Sequence, residues 1–452
     1  MEINVNHYGN SIWKCRDVPP NPASQTLLRR LAGSSALEGD KKTDVLIIGG
    51  GIAGILTAYH LKEIGIKSIV VEAKTLFSGT TGNTTAKITA QHGVIYSDII
   101  RLYGREKARM YYDANTQAIQ TFRSLAEHYP CDFETKNSYV YSSTDRTKIE
   151  REAEAYRKIG IPIHFKDKIP VPVETKGALM MENQAQFNPL KLLYALADEL
   201  EIYEHTLIKR IDENKAVTED GRYITTKYIV LATHFPLINI PGFYFMKLYQ
   251  HRSYVLTLEN AADLNGMYID EKKDGFSFRN YQNKLLIGGG SYKTGGLGGG
   301  YDVLNNLADR VYPGATRLNQ WATQDCMSLD GIPYVGRFNF AKRHLFVATG
   351  FNKWGMTGAM VTADIISNLI AYGKSEYEIL YSPGRFMFTK QLVVNIFSAA
   401  SGLLCPGKPR CTHMGCKLNK NIIEGTWDCS CHGSRFGEDG AVINNPAKKN
   451  IS

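Results

Sequence analysis

Short apolar runs alternate with amphipathic stretches along most of the chain. The run TDVLIIGGG at residues 43–51 is apolar and ends in glycines, as is typical of a buried parallel strand. From Ile52 to Ile64 the apolar positions recur at roughly helical spacing, and Gly65 is a residue type that commonly ends helices. A second apolar run, KSIVVEA, follows at residues 67–73. The pattern predicts a strand, a helix and a parallel strand.

The same alternation continues to about residue 375. Strand-like runs lie at residues 228–233, 284–290 and 344–350. Helices are predicted from Asn188-Pro189, where proline suits the first helical position, and over residues 358–373. Residues 388–400 are expected to form a helical connector. Interleaved strands and helices without a fixed-period repeat predict an α/β body with inserted β-rich sections.

A glycine-rich loop joins the first predicted strand to its helix. Residues 49–54 fit G-x-G-x-x-G, whose glycines allow a tight turn, close approach of a pyrophosphate and helix–strand packing. Glu72 ends the second strand near the expected offset of about 20 residues, where a carboxylate can hold ribose hydroxyls. The alternatives are a turn without a ligand and a solvated strand end. The predicted dinucleotide contacts are Gly49, Gly51, Ile52, Ala53, Gly54 and Glu72.

Composition narrows the class of protein. Hydrophobic residues make up 43% of the chain and charged residues 21%, which is ordinary for a globular protein. No run approaches the roughly 18–20 apolar residues that span a bilayer. The first residues lack the apolar core of a secretory signal, so we expect a cytoplasmic location. The net charge is +9, but the basic residues are scattered, so a nucleic-acid partner is not expected. Docking of an acidic electron carrier is compatible with this positive charge.

The cysteines are unevenly distributed. Three of the eight lie in the first 404 residues, and five fall between Cys405 and Cys431. Such clustering indicates a metal site and marks a domain boundary. Cys411 and His413 form a C-x-H motif, and Cys429 and His432 form a C-x-x-H motif. Each loop therefore offers one thiolate and one imidazole, as a two-iron cluster with one Cys₂ iron and one His₂ iron requires, although zinc is the alternative metal.

These loops, including the CHGS ending, closely resemble those of Rieske proteins of the cytochrome bc type. The resemblance implies a [2Fe–2S] cluster held by these four ligands and a disulfide between Cys416 and Cys431. Ser430 replaces a common proline, and Phe436 replaces a tyrosine that commonly hydrogen-bonds a cluster ligand, which should lower the reduction potential, whereas Ser434 is retained. The tail lacks the strands that precede the first loop of a full Rieske domain, and Cys405 has no assigned role.

Two further segments indicate that the dinucleotide is FAD. Ser78 to Lys87 is rich in hydroxyl-bearing and small residues, which suits a loop beside a flavin. With the glycine loop, Glu72 and the stretch 350–358, it resembles the D-amino-acid-oxidase-like FAD-dependent oxidoreductases, which include glycine and sarcosine oxidases, over about residues 44–375. For 350–358 an ordinary turn before a helix is the alternative. The further FAD contacts implied are Thr80, Thr81, Asn83, Thr84, Lys87, Gly350, Asn352, Trp354, Gly355, Met356 and Thr357.

The fold class is therefore predicted as α/β. A Rossmann-like FAD-binding domain is interleaved with an α+β substrate domain, and a small all-β Rieske-type tail follows. The expected parts are an N-terminal extension 1–40, the oxidoreductase 41–387, a linker 388–404 and the iron–sulfur domain 405–452. Within the oxidoreductase we expect the FAD part at about 44–95, 185–240 and 330–375, and the substrate part at about 96–184 and 241–328.

Four residues are candidates for the substrate site. Arg279 falls where relatives place an arginine near the substrate and could grip a carboxylate, although a surface salt bridge is equally compatible. His251 and Tyr254 form a second group, for which core or loop roles are the alternative. Lys87 is expected either beside the flavin or in solvent. No catalytic triad is expected, because the resemblance implies that hydride passes directly to the flavin.

Two redox motif sets in one chain suggest the function. We expect a dehydrogenase that oxidises an amine or amino acid and passes electrons from FAD through the Rieske cluster to an external acceptor. The alternatives are an O₂-using oxidase with a structural tail, and a redox-sensing or electron-carrying protein without small-molecule turnover.

Overall fold

The computed structural model describes residues 9–14, 35–238, 241–339, 342–385 and 388–451. Most of the expected N-terminal extension therefore lies outside the described residues. The strands are β1 Lys41–Ile48, β2 Ser68–Val71, β3 Lys87–Ile88, β4 Glu134–Ser142, β5 His164–Lys166, β6 Gly177–Gln186, β7 Glu201–Tyr203, β8 Ile208–Asp212, β9 Lys215–Thr218, β10 Tyr223–Leu231, β11 Leu248–Glu259, β12 Met267–Asp270, β13 Ser277–Tyr281, β14 Lys284–Lys293, β15 Thr316–Ser328, β16 Tyr334–Arg337, β17 Leu345–Thr349, β18 Leu418–Asn421, β19 Thr426–Cys429, β20 Arg435–Phe436 and β21 Val442–Asn444. The helices are α1 Ile52–Glu63, α2 Tyr96–Tyr103, α3 Arg105–His128, α4 Arg146–Lys158, α5 Pro189–Ala197, α6 Tyr244–Lys247, α7 Gly300–Val311, α8 Gly355–Tyr372, α9 Glu378–Tyr381 and α10 Lys390–Leu404.

The chain forms two compact units, named here after their main sheets. The antiparallel-sheet unit contains Met1–Cys15, Asn83–Pro189 and His251–Gln324. The parallel-sheet unit contains Arg16–Gly82, Leu190–Gln250 and Asp325–Ser452, and so includes the cysteine-rich tail. The domain limits expected from the sequence stay a prediction.

The parallel-sheet unit is built on the strand order β16-β17-β10-β1-β2-β7. β17, β10, β1, β2 and β7 pair in parallel, whereas β16 pairs antiparallel to β17. Helix α1 connects β1 to β2 and packs against α8. The central strands are buried on both faces, which explains their continuous apolar sequences. The predicted Rossmann-like arrangement of strand, helix and strand is confirmed.

The antiparallel-sheet unit carries a larger sheet in the order β15-β11-β14-β13-β12-β4-β6-β3, with β5 paired to β6. Most neighbouring strands run antiparallel, and β4 with β12 is a parallel exception. Its core forms around aromatic and aliphatic side chains such as Tyr254, Phe278 and Ile287. The inserted β-rich sections expected from the sequence are therefore present.

The cysteine-rich tail is a small antiparallel sheet in the order β18-β19-β20-β21. Its buried apolar cluster consists of four cysteines with Leu418, Phe436 and Ala447, and the partly buried Trp427, Val442 and Ile451 pack against it. A buried polar network supplements this cluster: Arg435 donates to Asp428 at 3.0 Å and to Glu424 at 2.9 Å. The predicted all-β tail is confirmed, and the expected connector before it is helix α10.

The strands and helices predicted from apolar patterns all occur, with ends that shift by a few residues. Helix α5 begins at Pro189, and helix α8 begins three residues before the predicted stretch. Among the described residues, none of the helices combines the length and apolar character needed to cross a membrane.

Candidate redox sites

Four loops meet at one edge of the parallel sheet, because the carboxyl ends of parallel strands lie together. The four loops begin at Gly49 after β1, Glu72 after β2, Ala232 after β10 and Gly350 after β17. Ala232 N–H donates to Ile48 O at 2.9 Å, which keeps the loop after β10 beside the glycine loop. This edge is where open α/β sheets bind their ligands.

The glycine loop leaves room that side chains would fill. Gly49 has φ +117°, and a Cβ there would overlap the carbonyl oxygen of Ala232. A Cβ at Gly54 would overlap the carbonyl oxygen of Gly49, so α1 packs closely against the loop. Gly51, the residue before α1, has no side chain to cap the helix, and Ile52 N–H donates to Thr81 Oγ1 at 3.1 Å. The uncapped helix start and the narrow loop fit the pyrophosphate of a dinucleotide.

Glu72 is fixed by backbone donors. Its Oε2 accepts from Gly50 N–H at 2.8 Å, and its Oε1 accepts from Lys74 N–H at 2.9 Å. These bonds hold the carboxylate at the sheet edge next to the glycine loop. Contact of Glu72 with ribose stays a prediction.

The stretch after β17 is a tight turn that leads into α8. Gly350 and Asn352 have φ values of +72° and +54°. The Asn352 amide donates to Gly331 O at 2.8 Å, and its Oδ1 accepts from Ser328 N–H at 3.0 Å. The Asn352 side chain therefore shapes the turn. Among the described residues no side chain caps α8, whose first residues Gly355, Met356 and Thr357 were predicted to contact FAD.

In the antiparallel-sheet unit, three side chains hold the second half of the hydroxyl-rich loop, residues 83–86. Trp321 Nε1 donates to Asn83 O at 2.9 Å, and Trp13 Nε1 donates to Thr84 O at 2.7 Å. Arg279 Nη1 donates to the carbonyl oxygens of Thr85 and Ala86, both at 2.7 Å. Four consecutive carbonyl groups are therefore fixed by buried donors. No local pattern predicts this role for either tryptophan, because their partners lie 71 and 238 residues away along the chain.

Arg279 is fully buried, so a surface salt bridge is excluded. Its guanidinium lies 5.5 Å from the ring of Trp13 and 5.9 Å from that of Tyr281. Burial lowers the pKa of Arg279 to about 9, so the group stays protonated at neutral pH. Nη2 has no hydrogen-bond partner among the described residues. A buried donor of this kind is suited to a carboxylate.

The other predicted substrate-site residues have different surroundings. Lys87 Nζ lies 3.4 Å from Thr85 Oγ1 and 3.5 Å from Ser277 Oγ. Tyr254 is buried in the core of its unit, with its hydroxyl 2.6 Å from that of Tyr292. His251 is buried on β11 opposite Lys293. The position of Tyr254 favours the core role that the sequence left open, and catalytic roles for Lys87 and His251 stay predictions.

The two metal-binding loops of the tail have the same backbone geometry. Cys411 N–H donates to Cys416 O at 2.8 Å, and Cys429 N–H donates to Ser434 O at 2.9 Å. A glycine N–H four residues after each cysteine donates back to the cysteine carbonyl, from Gly415 at 2.8 Å and from Gly433 at 2.9 Å. Two equivalent turns therefore present the ligands as a pair.

The donor set fits a two-iron cluster. Cys411 and Cys429 are buried, and the rings of His413 and His432 lie 5.1 Å apart at right angles. Burial lowers the pKa of His413 to about 4, so its imidazole is neutral, as metal binding requires. The Ser434 hydroxyl also contacts Cys411, which would strengthen hydrogen bonding at the cluster.

The two remaining loop cysteines are close together but not bonded. Cys416 and Cys431 are free thiols in the structure, and their sulfur atoms lie within 4.8 Å of each other and of Cys429. Helix α10 covers this group, since a Cβ at Gly402 would overlap Cys431 Sγ. The disulfide between Cys416 and Cys431 stays a prediction. Cys405 lies apart, with Lys417 Nζ at 3.8 Å from its sulfur.

Together the edge and the loops define a flavoprotein with an iron–sulfur domain. The chain belongs to the family of FAD-dependent oxidoreductases, whose model matches residues 44–369. Residues 383–452 match the Rieske [2Fe-2S] domain. Its cofactors are therefore FAD and a [2Fe–2S] cluster.

Known proteins share this organisation or parts of it. The chain is 34% identical to YhfW of Bacillus subtilis (strain 168), named as a Rieske 2Fe-2S iron-sulfur protein, over 92% of this chain and 94% of that protein. Glycine oxidase from Geobacillus kaustophilus matches with a TM-score of 0.65 and 19% identity, covering 77% of this chain and 100% of that one. L-proline dehydrogenase from P. horikoshii matches with a TM-score of 0.64 and 19% identity, covering 77% and 98%.

Proposed function

We propose that this protein is a dehydrogenase that oxidises the CH–NH bond of an amine or amino acid and passes the electrons singly to an external acceptor. One observation carries the proposal: the Rieske loops belong to the same compact unit as the dinucleotide edge. A cytoplasmic location stays a prediction of the sequence.

The substrate class rests on chemistry and on relatives. Two structural neighbours are named for glycine and L-proline, and γ-glutamylputrescine oxidoreductase of Escherichia coli is 24% identical over 42% of this chain and 48% of that protein. In this chain the buried Nη2 of Arg279 offers a donor to a substrate carboxylate. An amino acid therefore suits the site better than a simple amine.

The reaction balances without a protein nucleophile. FAD, when bound, would supply a two-electron acceptor for the hydride on the substrate carbon, and the N–H proton would leave to water. The product is an imine, which water hydrolyses to a carbonyl compound and ammonia, or an amine where the substrate nitrogen carries a second carbon. Two electrons remain to be removed, and a one-electron acceptor must be met twice for each substrate molecule.

The chain's own residues prepare this chemistry. Trp13, Trp321 and Arg279 fix the carbonyl groups of residues 83–86, so the loop predicted to contact the flavin has one geometry. Ser434 and the paired loop turns do the same for the cysteine and histidine ligands. Preorganised donors lower the cost of binding a cofactor in one orientation.

An anaerobic stopped-flow experiment tests the route. The holoprotein is mixed with a panel of amino acids and amines, and flavin bleaching and reoxidation by ferricyanide are followed. We expect an amino acid to bleach the flavin, and reoxidation to slow at least tenfold in Cys411→Ser. Equal reoxidation with and without this ligand would refute the route through the tail. Rapid peroxide formation in air would indicate an oxidase. Failure of all substrates to bleach the flavin would indicate a protein without small-molecule turnover.

A further inference from the structure

The tail is anchored at the dinucleotide edge of its own unit. Asn445 Nδ2 donates to Thr233 O at 2.5 Å and to Phe235 O at 3.2 Å. Lys74 Nζ donates to Ile443 O at 3.0 Å. Thr233 and Phe235 follow β10, and Lys74 follows β2, so the tail is held by the loops after two strands of the parallel sheet. These contacts are independent of the metal ligands.

The two imidazole ligands differ in their surroundings. His432 is only 1% exposed, and its ring lies 6.0 Å from that of Phe245. The ring of Phe235 lies near both imidazoles, 6.5 Å from His432 and 6.1 Å from His413. Phe235 is itself part of the apolar core that contains Ile48, the last residue of β1. Both imidazoles therefore adjoin the packed layer that reaches the glycine-loop edge, and His432 is the more enclosed of the two.

His413 lies in the more exposed of the two loops. It is partly accessible, and its neighbour Met414 is 37% exposed. Leu403 and Leu404 are also exposed, and Arg410 joins this end of α10 to the loop by donating to Leu403 O and Gly415 O. Three exposed apolar side chains thus lie on the two segments that Arg410 joins, one of which carries His413.

Basic residues surround this apolar centre. Residues 401–417 and 440–452 contain five lysine or arginine residues and no carboxylate side chain. Thr412 Oγ1 donates to Lys449 O at 2.6 Å, and the charge of Lys448 acts on His413, so the second segment adjoins the first. The five cations are Lys408, Arg410, Lys417, Lys448 and Lys449. An apolar centre with a rim of one charge is suited to brief docking of a partner of opposite charge.

We propose that His413, the more accessible of the two imidazoles, faces an acidic electron-carrier protein that docks on the face formed by residues 403–417 and 448–449, while the enclosed His432 remains covered by residues of its own unit. This inference rests on the proposed function, in which an external acceptor takes the electrons. In each encounter one electron passes to the carrier's oxidised metal centre, and no bond is made or broken. Two such encounters remove the two electrons that one substrate molecule supplies.

The test separates the docking face from the substrate reaction. The oxidised holoprotein is titrated with two copper or haem carriers of opposite surface charge, acidic plastocyanin and basic cytochrome c, at low and high salt. Binding is measured by calorimetry. Chemically reduced holoprotein is then mixed with each carrier in stopped flow, so no substrate is needed.

We expect plastocyanin to bind and to be reduced faster at low salt, and cytochrome c to do so poorly. Lys448→Glu/Lys449→Glu should weaken plastocyanin binding at least tenfold and slow its reduction similarly. The matched control Lys209→Glu/Lys215→Glu makes the same change in net charge on the β8–β9 hairpin and should alter both by less than twofold. Both pairs of lysines are exposed.

Three results would overturn the inference. Tighter binding of cytochrome c would contradict the charge of the face, and equal effects of the two double variants would show a response to net charge alone. Reduction of a soluble quinone with no charge-dependent response to either protein would show that the face does not dock a carrier. Failure of every substrate to bleach the flavin would instead defeat the proposed function and leave these measurements unaffected.

Discussion

The buried network in the tail makes a prediction about how so small a sheet is stable. Arg435 is 4% exposed, and it donates to Asp428, Glu424 and Thr426. Asn421 donates to the other oxygen of Asp428 at 2.9 Å. A sheet of this size has little apolar core, which in small domains rarely supplies more than about 3–5 kcal/mol. The network therefore carries a large share of the tail's stability.

Arg435→Met should unfold the tail while the flavin stays bound. Removing one partner of a buried ion pair costs about 3–5 kcal/mol, because the remaining carboxylate is left buried without its cation. This loss is comparable to the whole stability expected of the tail. We expect iron content and the cluster's EPR signal to fall severalfold, with an unchanged ratio of flavin to protein.

Two companion variants make the prediction specific. Lys420→Met breaks an exposed pair with Glu438 and should cost less than about 1 kcal/mol. Arg435→Met/Asp428→Leu also removes Asp428, the more deeply buried of the two carboxylates that pair with Arg435, and should therefore recover part of the lost iron. If Arg435→Met kept full iron content and the same thermal transition as Lys420→Met, the network would not stabilise the tail.

Three other features predict measurable effects. Gly49→Ala should abolish flavin binding, because its Cβ would overlap the backbone of Ala232. Gly65→Ala, at φ +76° but with open space around the Cβ, should lose only about 1–2 kcal/mol of stability and keep the flavin. The ratio of flavin to protein absorbance measures both. Burial raises the pKa of Glu152 to about 7 from 4.5, so the stability tied to its protonated form is complete below pH 4.5 and is lost as the pH rises through 7. Glu152→Gln should remove roughly 3 kcal/mol of that loss, measured as the difference in unfolding free energy between pH 5 and pH 8 by urea unfolding. The same difference in both proteins would contradict this. Trp13→Phe keeps the ring but leaves Thr84 O without its donor, which should cost about 1–3 kcal/mol and raise the FAD dissociation constant, and an unchanged constant would refute a role for the loop.

Local patterns made the two cofactor sites predictable. The glycine loop at residues 49–54 is recognised from its own sequence, because its glycines allow a backbone geometry that other residues do not. The spacing of Cys411 and His413 likewise indicates a metal-binding loop without information from the rest of the chain. Arg279 could not be placed in the same way. Its burial depends on the register of β13, and the carbonyl group of Thr85 that it binds lies 194 residues earlier in the chain. Tyr254 was likewise ambiguous, since alternation alone does not say which face of β11 meets the core.

The structure also explains why the tail can lack the strands that precede the first loop of a full Rieske domain. Helix α10 covers the loops, since Ser398 O accepts from Cys431 Sγ at 3.3 Å and Gly402 leaves no room for a side chain against the loops. Phe235 and Phe245 cover His432 from the other side. The missing cover is thus supplied by elements of the parallel-sheet unit, at the edge where FAD is expected to bind. A tail closed in this way depends on its flavin domain for folding, and the same contacts leave His413 as the more accessible of the two imidazoles.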